Sequence, residues 1–235
     1  MIFNWSYLTT YKFYRICATF FSLSILASYT VYVFYLSFKK YSLFSWHPCF
    51  MTLGFTLLIT EAVILLSRES IFKFLKYDRE ELIRKHWILH LLGGTAIAIG
   101  LTTIILHKEN EHYPHFKTFH SITGLISVIL FVLGCLHGII TLYSPNFQSL
   151  VKPFKIKFTH VCIGILTFLF GMLSQCSGIF SNFFYTVSSW EAQLTCIILV
   201  TIAGVVPFEG AFRSAYSKYK NLIQGWPEDT SSLGR

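Results

Sequence analysis

Six long apolar runs divide this 235-residue chain, and they constrain its fold more than any other feature. They extend over roughly Tyr14 to Leu36, Trp46 to Ser67, His86 to His107, His120 to Tyr143, Phe158 to Phe180 and Trp190 to Phe208. A hydrocarbon core about 30 Å thick is crossed by about 20 residues of α-helix, and each run has that length. Inside lipid every backbone donor and acceptor must be paired within the segment, and a barrel strand would alternate apolar with polar residues, so helices are the only reading. The expectation is an all-α membrane protein with six transmembrane helices, folded as one domain over residues 1–235, with a loose cytoplasmic tail from 214 to 235. Composition agrees: 13% of residues are charged, against about 25% in soluble domains. The first run is too long for a signal-peptide core and lacks a small-residue cleavage site after it, so it reads as a retained helix.

The net charge of +8 is read through its distribution. Of 19 Lys and Arg, 15 fall at the N-terminal side, between runs two and three, between runs four and five, and after run six. The remaining 4 fall in the other connections, so the positive-inside rule predicts both termini on the cytoplasmic side. The basic excess is topological, with affinity for anionic lipid headgroups, rather than a nucleic-acid surface. The six cysteines are scattered through the apolar runs with no CxxC or CxxCH, which reads as small buried hydrophobes rather than disulfides or attached c-type haem.

An ionisable side chain inside a membrane is costly and marks a functional site by default. Four of the nine histidines stand at or near the start of a run: His47, His86, His120 and His160. With the termini on one side, His47 and His120 share the outer layer, and His86 and His160 the inner one. His47 to His86 spans 39 residues and His120 to His160 spans 40, so helices 2 and 3 read as a repeat of helices 4 and 5 about an axis along the membrane normal. A central four-helix bundle with that symmetry opposes two histidines at each level. In "SWHP", Pro48 is expected at the first helical position, with Trp46 at the membrane interface. Gly124 and Gly164 each follow a histidine by four residues, which leaves room for a flat ligand or for close helix packing.

Two opposed imidazoles suit one cofactor class best. A bare zinc ion wants three or four protein ligands, and no Cys, Asp or Glu is suitably spaced. Haem supplies four nitrogens of its own and needs only axial ligands; two histidines then close both open iron positions and point to electron transfer. The expectation is two haems per chain, one per leaflet.

The stretches "LFSWHPCFMTLGFTLLITEA", "KHWIL", "ILHKE", "FHSITGL" and "FTHVCIGI", in this order and spacing across roughly residues 14–208, resemble the cytochrome b561 family. The resemblance implies a transmembrane oxidoreductase that takes electrons from cytoplasmic ascorbate and delivers them to monodehydroascorbate radical or ferric iron on the far side. It also implies two haem b groups per chain: carried over by position, His47 and His120 would ligate the outer haem, and His86 and His160 the inner haem. Related proteins are commonly homodimers. The tail carries no KDEL-type or prenylation signal; the resemblance favours the endoplasmic reticulum or cytoplasmic vesicle membrane.

Other residues are candidates for smaller roles. His90 competes with His86 one turn along the same face, but its distance from His47 breaks the repeat, and it is expected to hydrogen-bond or line the inner haem. His107 either stands near the acceptor, as the resemblance implies, or caps a helix C-terminus. His112 and His115 read as solvated loop residues, and His137 as a packed or hydrogen-bonded histidine. Arg84, Lys85, Lys152, Lys155 and Lys157 border the inner ligands and are expected either to draw anionic ascorbate or only to orient the chain. Larger members of the resembled family place a lysine three residues before the inner histidine, where this chain has Ile83. Glu61, in the second run, would cost about 2.5–3.5 kcal/mol as an unpaired charge at a helix centre, so it is expected to bond near the inner haem or take up a proton. The rival reading is a haem-free metal-ion transporter using the same histidines; it would call for further acidic or histidine ligands at mid-membrane.

Overall fold

The six apolar runs form six helices long enough to cross a membrane in the computed structural model, which describes residues 5–66, 77–147, 149 and 151–224. In chain order these are α1 (Trp5–Lys39), α2 (Leu43–Leu65), α3 (Arg79–Asn110), α4 (Phe119–Leu142) and α5 (Pro153–Ile179), then a short α6 (Asn182–Val187) and the long α7 (Trp190–Gln224). No strand occurs among the described residues. This is a multi-pass, all-α membrane protein, and six crossings bring the start of the first helix at Trp5 and the end of the last at Gln224 to one end of the molecule, called here the terminal end.

Packing follows the order of the chain. α2 pairs with α3 and α4 with α5, and α2 also touches α5, which closes the four into a central bundle. α1 and α7 lie outside it, against each other and against α2 and α5 respectively. At the far end, Tyr29, Val33 and Leu36 of α1 meet Ile179, Phe184, Val187 and Val200 in a buried cluster, so the short α6 is held as a plug between α5 and α7. A second cluster, Phe55, Ile59, Ile97 and Phe131, fills the bundle centre. Ion pairing joins the outer helices: buried Arg15 of α1 bonds Glu209 of α7, which also holds Arg213 one turn on.

Local chemistry sets where each functional histidine enters the bundle. Ahead of α4, the Thr118 hydroxyl accepts from the Ser121 N–H and the Ser121 hydroxyl accepts from the Thr118 N–H, a reciprocal cap that makes His120 the second helical residue. At α2 the Ser45 hydroxyl accepts from the Ser42 N–H and a tight turn over Leu43–Ser45 precedes the helix. Pro48 is therefore the third residue of the α-helical segment Trp46–Met51, not the first, still within the turn whose N–H groups lack helical partners. Trp46 donates to the Tyr41 hydroxyl at 3.1 Å and stands edge-on to Phe38, an aromatic group at the membrane boundary.

Three departures from the expected boundaries have one cause: a helix continues by its own hydrogen bonds after its apolar run has ended. α3 starts at Arg79 with Glu80 and Glu81 in its first turn, and α5 starts at Pro153, so His86 and His160 each lie about two turns inside a helix. α7 continues beyond Phe208 to Gln224, so the expected loose tail is helical as far as it is described; residues 225–235, like Ser67 at the end of the second run, lie outside the described residues. Within α2, Thr52–Ile59 forms a wide i→i+5 helical segment, which a uniformly apolar "TLGFTLLI" does not announce.

Candidate functional site

The structure brings four of the nine histidines into two facing pairs inside the central bundle. His47 of α2 and His120 of α4 have ring centres 6.1 Å apart with planes at 86°. His86 of α3 and His160 of α5 have ring centres 6.5 Å apart with planes at 74°. The first pair lies at the far end, the second toward the terminal end.

Backbone carbonyls of neighbouring helices hold the rings. His47 Nδ1 lies 3.0 Å from the Gly100 oxygen of α3, and His86 Nδ1 lies 2.8 Å from the Ala62 oxygen of α2. His120 Nδ1 lies 2.9 Å from the Ser174 oxygen of α5. A carbonyl only accepts, so each of these rings donates from Nδ1 and keeps the Nε2 lone pair for a metal. His160 Nδ1 is buried outside hydrogen-bonding geometry. On the α4–α5 side the Ser174 carbonyl holds His120, and the Gly134 carbonyl of α4 faces His160 more loosely than the other three carbonyls hold their rings.

Missing side chains make room around the pairs. A Cβ on Gly178 would stand 3.1 Å from the His120 ring and one on Gly138 3.3 Å from the His160 ring, so two helices come against imidazoles where only glycine fits closely. Gly164 faces open space, while Gly124 lines the far-end cavity beside Ser174. That cavity, about 220 Å³, has mainly apolar walls that include Val33, Met51, Leu101 and Val128, with His47 and His120 among its lining.

The smaller candidates fall around these pairs. His90 lies tilted against His86, ring centres 4.3 Å apart, and donates to the His86 carbonyl at 3.0 Å. His137, expected to be a packed or hydrogen-bonded histidine, stacks on His160 at 6.0 Å and 21° and has Nδ1 3.4 Å from the Thr141 hydroxyl. His107 stands edge-on to Phe44 at 5.6 Å, and Phe44 lies 6.0 Å from the His47 ring. His112 is exposed with φ 55°, but His115 is not a solvated loop residue: it is half-buried, lines the far-end cavity and bonds Glu109 at 2.8 Å. The loop folds back because Lys108 donates to the Pro114 carbonyl at 2.8 Å, and Lys108 lines the same cavity.

At the terminal end, Arg84 is exposed, whereas Lys85 pairs with Glu81 at 3.1 Å and lies over the Tyr77 ring. Lys152 precedes α5 with Nζ 6.0 Å from the Phe154 ring, Lys155 is exposed and Lys157 half-buried. Sequence reasoning passed over Lys218, which the unexpected extension of α7 brings within electrostatic range of His160. Glu61, half-buried near the end of α2, precedes the residue whose carbonyl holds His86 and makes no hydrogen bond or ion pair among the described residues. No group of three or more His, Cys, Asp or Glu is arranged on one ion among the described residues.

A helical bundle that opposes histidines at two levels defines the class: a membrane protein built around buried imidazole pairs. The chain belongs to the eukaryotic cytochrome b561 family, whose sequence model matches residues 46–186. It is 35% identical to the transmembrane reductase CYB561D2 of Mus musculus over 177 residues, 74% of this chain and 79% of that protein. The Homo sapiens protein of that name is 34% identical over the same shares. The lysosomal membrane ascorbate-dependent ferrireductase CYB561A3 of Mus musculus is 26% identical over 151 residues, 63% of this chain and 59% of that one.

Family membership implies haem b, and the residues present fit it. Two imidazoles that shared one metal ion would have ring centres about 6 Å apart, from metal–nitrogen bonds of about 2 Å and a ring centre about 1 Å behind each nitrogen. The observed separations are 6.1 and 6.5 Å. Three rings have Nε2 free for a metal, and the cavity walls at the far-end pair are apolar, as a porphyrin requires.

Proposed function

We propose that this protein is a transmembrane reductase holding two haem b groups, one between His47 and His120 and one between His86 and His160. When bound, haem b supplies reversible one-electron iron chemistry in an apolar site. The observation that carries the reading is the presence of two facing imidazole pairs at matched separations, one toward each end of the bundle. Two protein ligands at each iron leave no position for oxygen, so the reading is electron transfer across the membrane.

The protein's own residues do the positioning. Carbonyls of Gly100, Ala62 and Ser174 orient three of the rings, and the apolar walls exclude water. The name of one relative, an ascorbate-dependent ferrireductase, supports ascorbate as the donor and ferric iron as an acceptor, with monodehydroascorbate radical the other acceptor that the sequence resemblance implies. The basic distribution supports cytoplasmic termini, with ascorbate on the side of Arg84, Lys85, Lys152, Lys155 and Lys157 and with Lys218 adding charge from α7. His107 and Lys108 stand on the acceptor side.

The test is an absorption spectrum and haem assay of the purified full chain, with and without ascorbate. Two haems b per chain, reduced by ascorbate, are expected. A folded preparation from haem-supplied cells that is colourless, or whose haem ascorbate leaves oxidised, overturns the proposal.

A further inference from the structure

The middle of the bundle, between the two histidine pairs, holds a series of aromatic rings in contact. His90 lies 4.3 Å from His86 and, on its other side, stacks on Phe131 at 5.8 Å and 18°. Phe131 meets Phe55 edge-on at 6.3 Å and 62°. Phe55 in turn lines the cavity that contains His47 and His120. The series thus passes from α3 through α4 to α2, from the edge of one pair to the wall of the other.

The backbone is shaped around these rings. A Cβ on Gly94 would stand 3.0 Å from Phe131 Cε1, and one on Gly171 would stand 3.0 and 3.1 Å from Phe55 Cδ1 and Cε1. Phe55 lies inside the wide segment Thr52–Ile59, a helical irregularity that is rare and often tied to function. Both phenylalanines are buried, 7% and 8% exposed, so their places are fixed by packing. Leucines would satisfy an apolar core equally; contiguous rings offer delocalised electrons and few through-space gaps.

We propose that His90, Phe131 and Phe55 form an aromatic path that couples the two sites electronically. One electron leaves the His86–His160 site and arrives at the His47–His120 site; no bond forms or breaks and no proton moves with it. Ascorbate is the reductant, and the far-side acceptor is the oxidant. This inference rests on the two-haem reading above.

The test uses the full chain in nanodiscs with Phe131→Leu, Phe55→Leu, the double variant and Phe131→Tyr. Haem content and both midpoint potentials are measured first; then a light-triggered reductant delivers a single electron, and its redistribution is followed spectroscopically. Expected are two haems and unchanged potentials throughout, with redistribution slowed severalfold in each Leu variant, further in the double variant, and restored in Phe131→Tyr. Where Phe131→Leu lowers haem content, Phe131→Met is read in its place. Wild-type rates in the Leu variants at full haem content overturn the path, and so does a Tyr variant as slow as Leu, which makes packing rather than the ring responsible. A wild-type chain with fewer than two haems instead overturns the reading on which the path rests.

Discussion

The two ends of the bundle carry the same motif in different settings. At the far end, His47 and His120 sit in the first turns of their helices, both rings are held by carbonyls of the neighbouring helix, and a cavity with Lys108 and His115 in its walls lies beside them. At the terminal end, His86 and His160 lie about two turns inside longer helices, the His160 ring faces the Gly134 carbonyl more loosely than the other rings face theirs, and two further histidines pack on the pair, His90 tilted against His86 and His137 stacked on His160. A sequence repeat can therefore place equivalent ligands while helix length and neighbouring side chains make the two surroundings unlike. On the two-haem reading proposed above, these unlike surroundings would give the two haems different potentials, because burial and hydrogen bonding around a haem set its potential.

The sharpest way to break this comparison is to remove one pair at a time. His47→Ala and His120→Ala are each expected to abolish the same one of two haem signals, and His86→Ala and His160→Ala the other, read by haem assay and redox difference spectra. Loss of the same signal by all four variants would dissolve the distinction between the ends.

Helix contact gives the next largest effect. A Cβ on Gly54 would stand 2.9 Å from the Gly93 carbonyl oxygen, a backbone atom that cannot turn aside, whereas Gly164 has open space. Gly54→Ala is expected to cost about 1–3 kcal/mol and lower the melting temperature in detergent, with Gly164→Ala close to wild type. Equal melting temperatures would show that α2 and α3 are not fixed by this approach.

Charge separates the ends more gently. In oriented proteoliposomes, Lys218→Glu is expected to raise the KM for ascorbate up to about tenfold and leave the KM for ferricyanide on the opposite face unchanged, with Lys108→Glu doing the reverse. Added salt should shrink both differences, since exposed charges are screened beyond a Debye length of about 10 Å at 0.1 M. On haem content the smallest effect is expected at His90: His90→Gln should keep both haems by assay, where His86→Ala loses one, and should slow electron redistribution between the sites as Phe131→Leu does.

Much of the fold was legible because lipid leaves the chain few choices. Unbroken apolar runs can only be helices, and the matched spacing of His47, His86, His120 and His160 was visible without any contact map. What remained hidden depended on neighbours in space. His115 read as solvated because its loop is polar, yet Lys108 and Glu109 fold it back over the cavity. His137 read as a packed or hydrogen-bonded histidine, but only the approach of α4 to α5 shows that the ring it packs on is His160. Helix ends were misplaced because hydropathy marks where lipid ends, while backbone hydrogen bonding carries α3, α5 and α7 past that boundary.

By itself the sequence determined the number of crossings, the all-helical class and the four paired histidines, since each follows from backbone desolvation or from residue spacing alone. Tertiary structure decided which carbonyl holds each ring, which glycine faces an imidazole, where Lys218 stands, and how His90, Phe131 and Phe55 come into line. These depend on the rotation and contact of helices about their axes, which a pattern of apolar runs leaves undetermined and side-chain packing fixes.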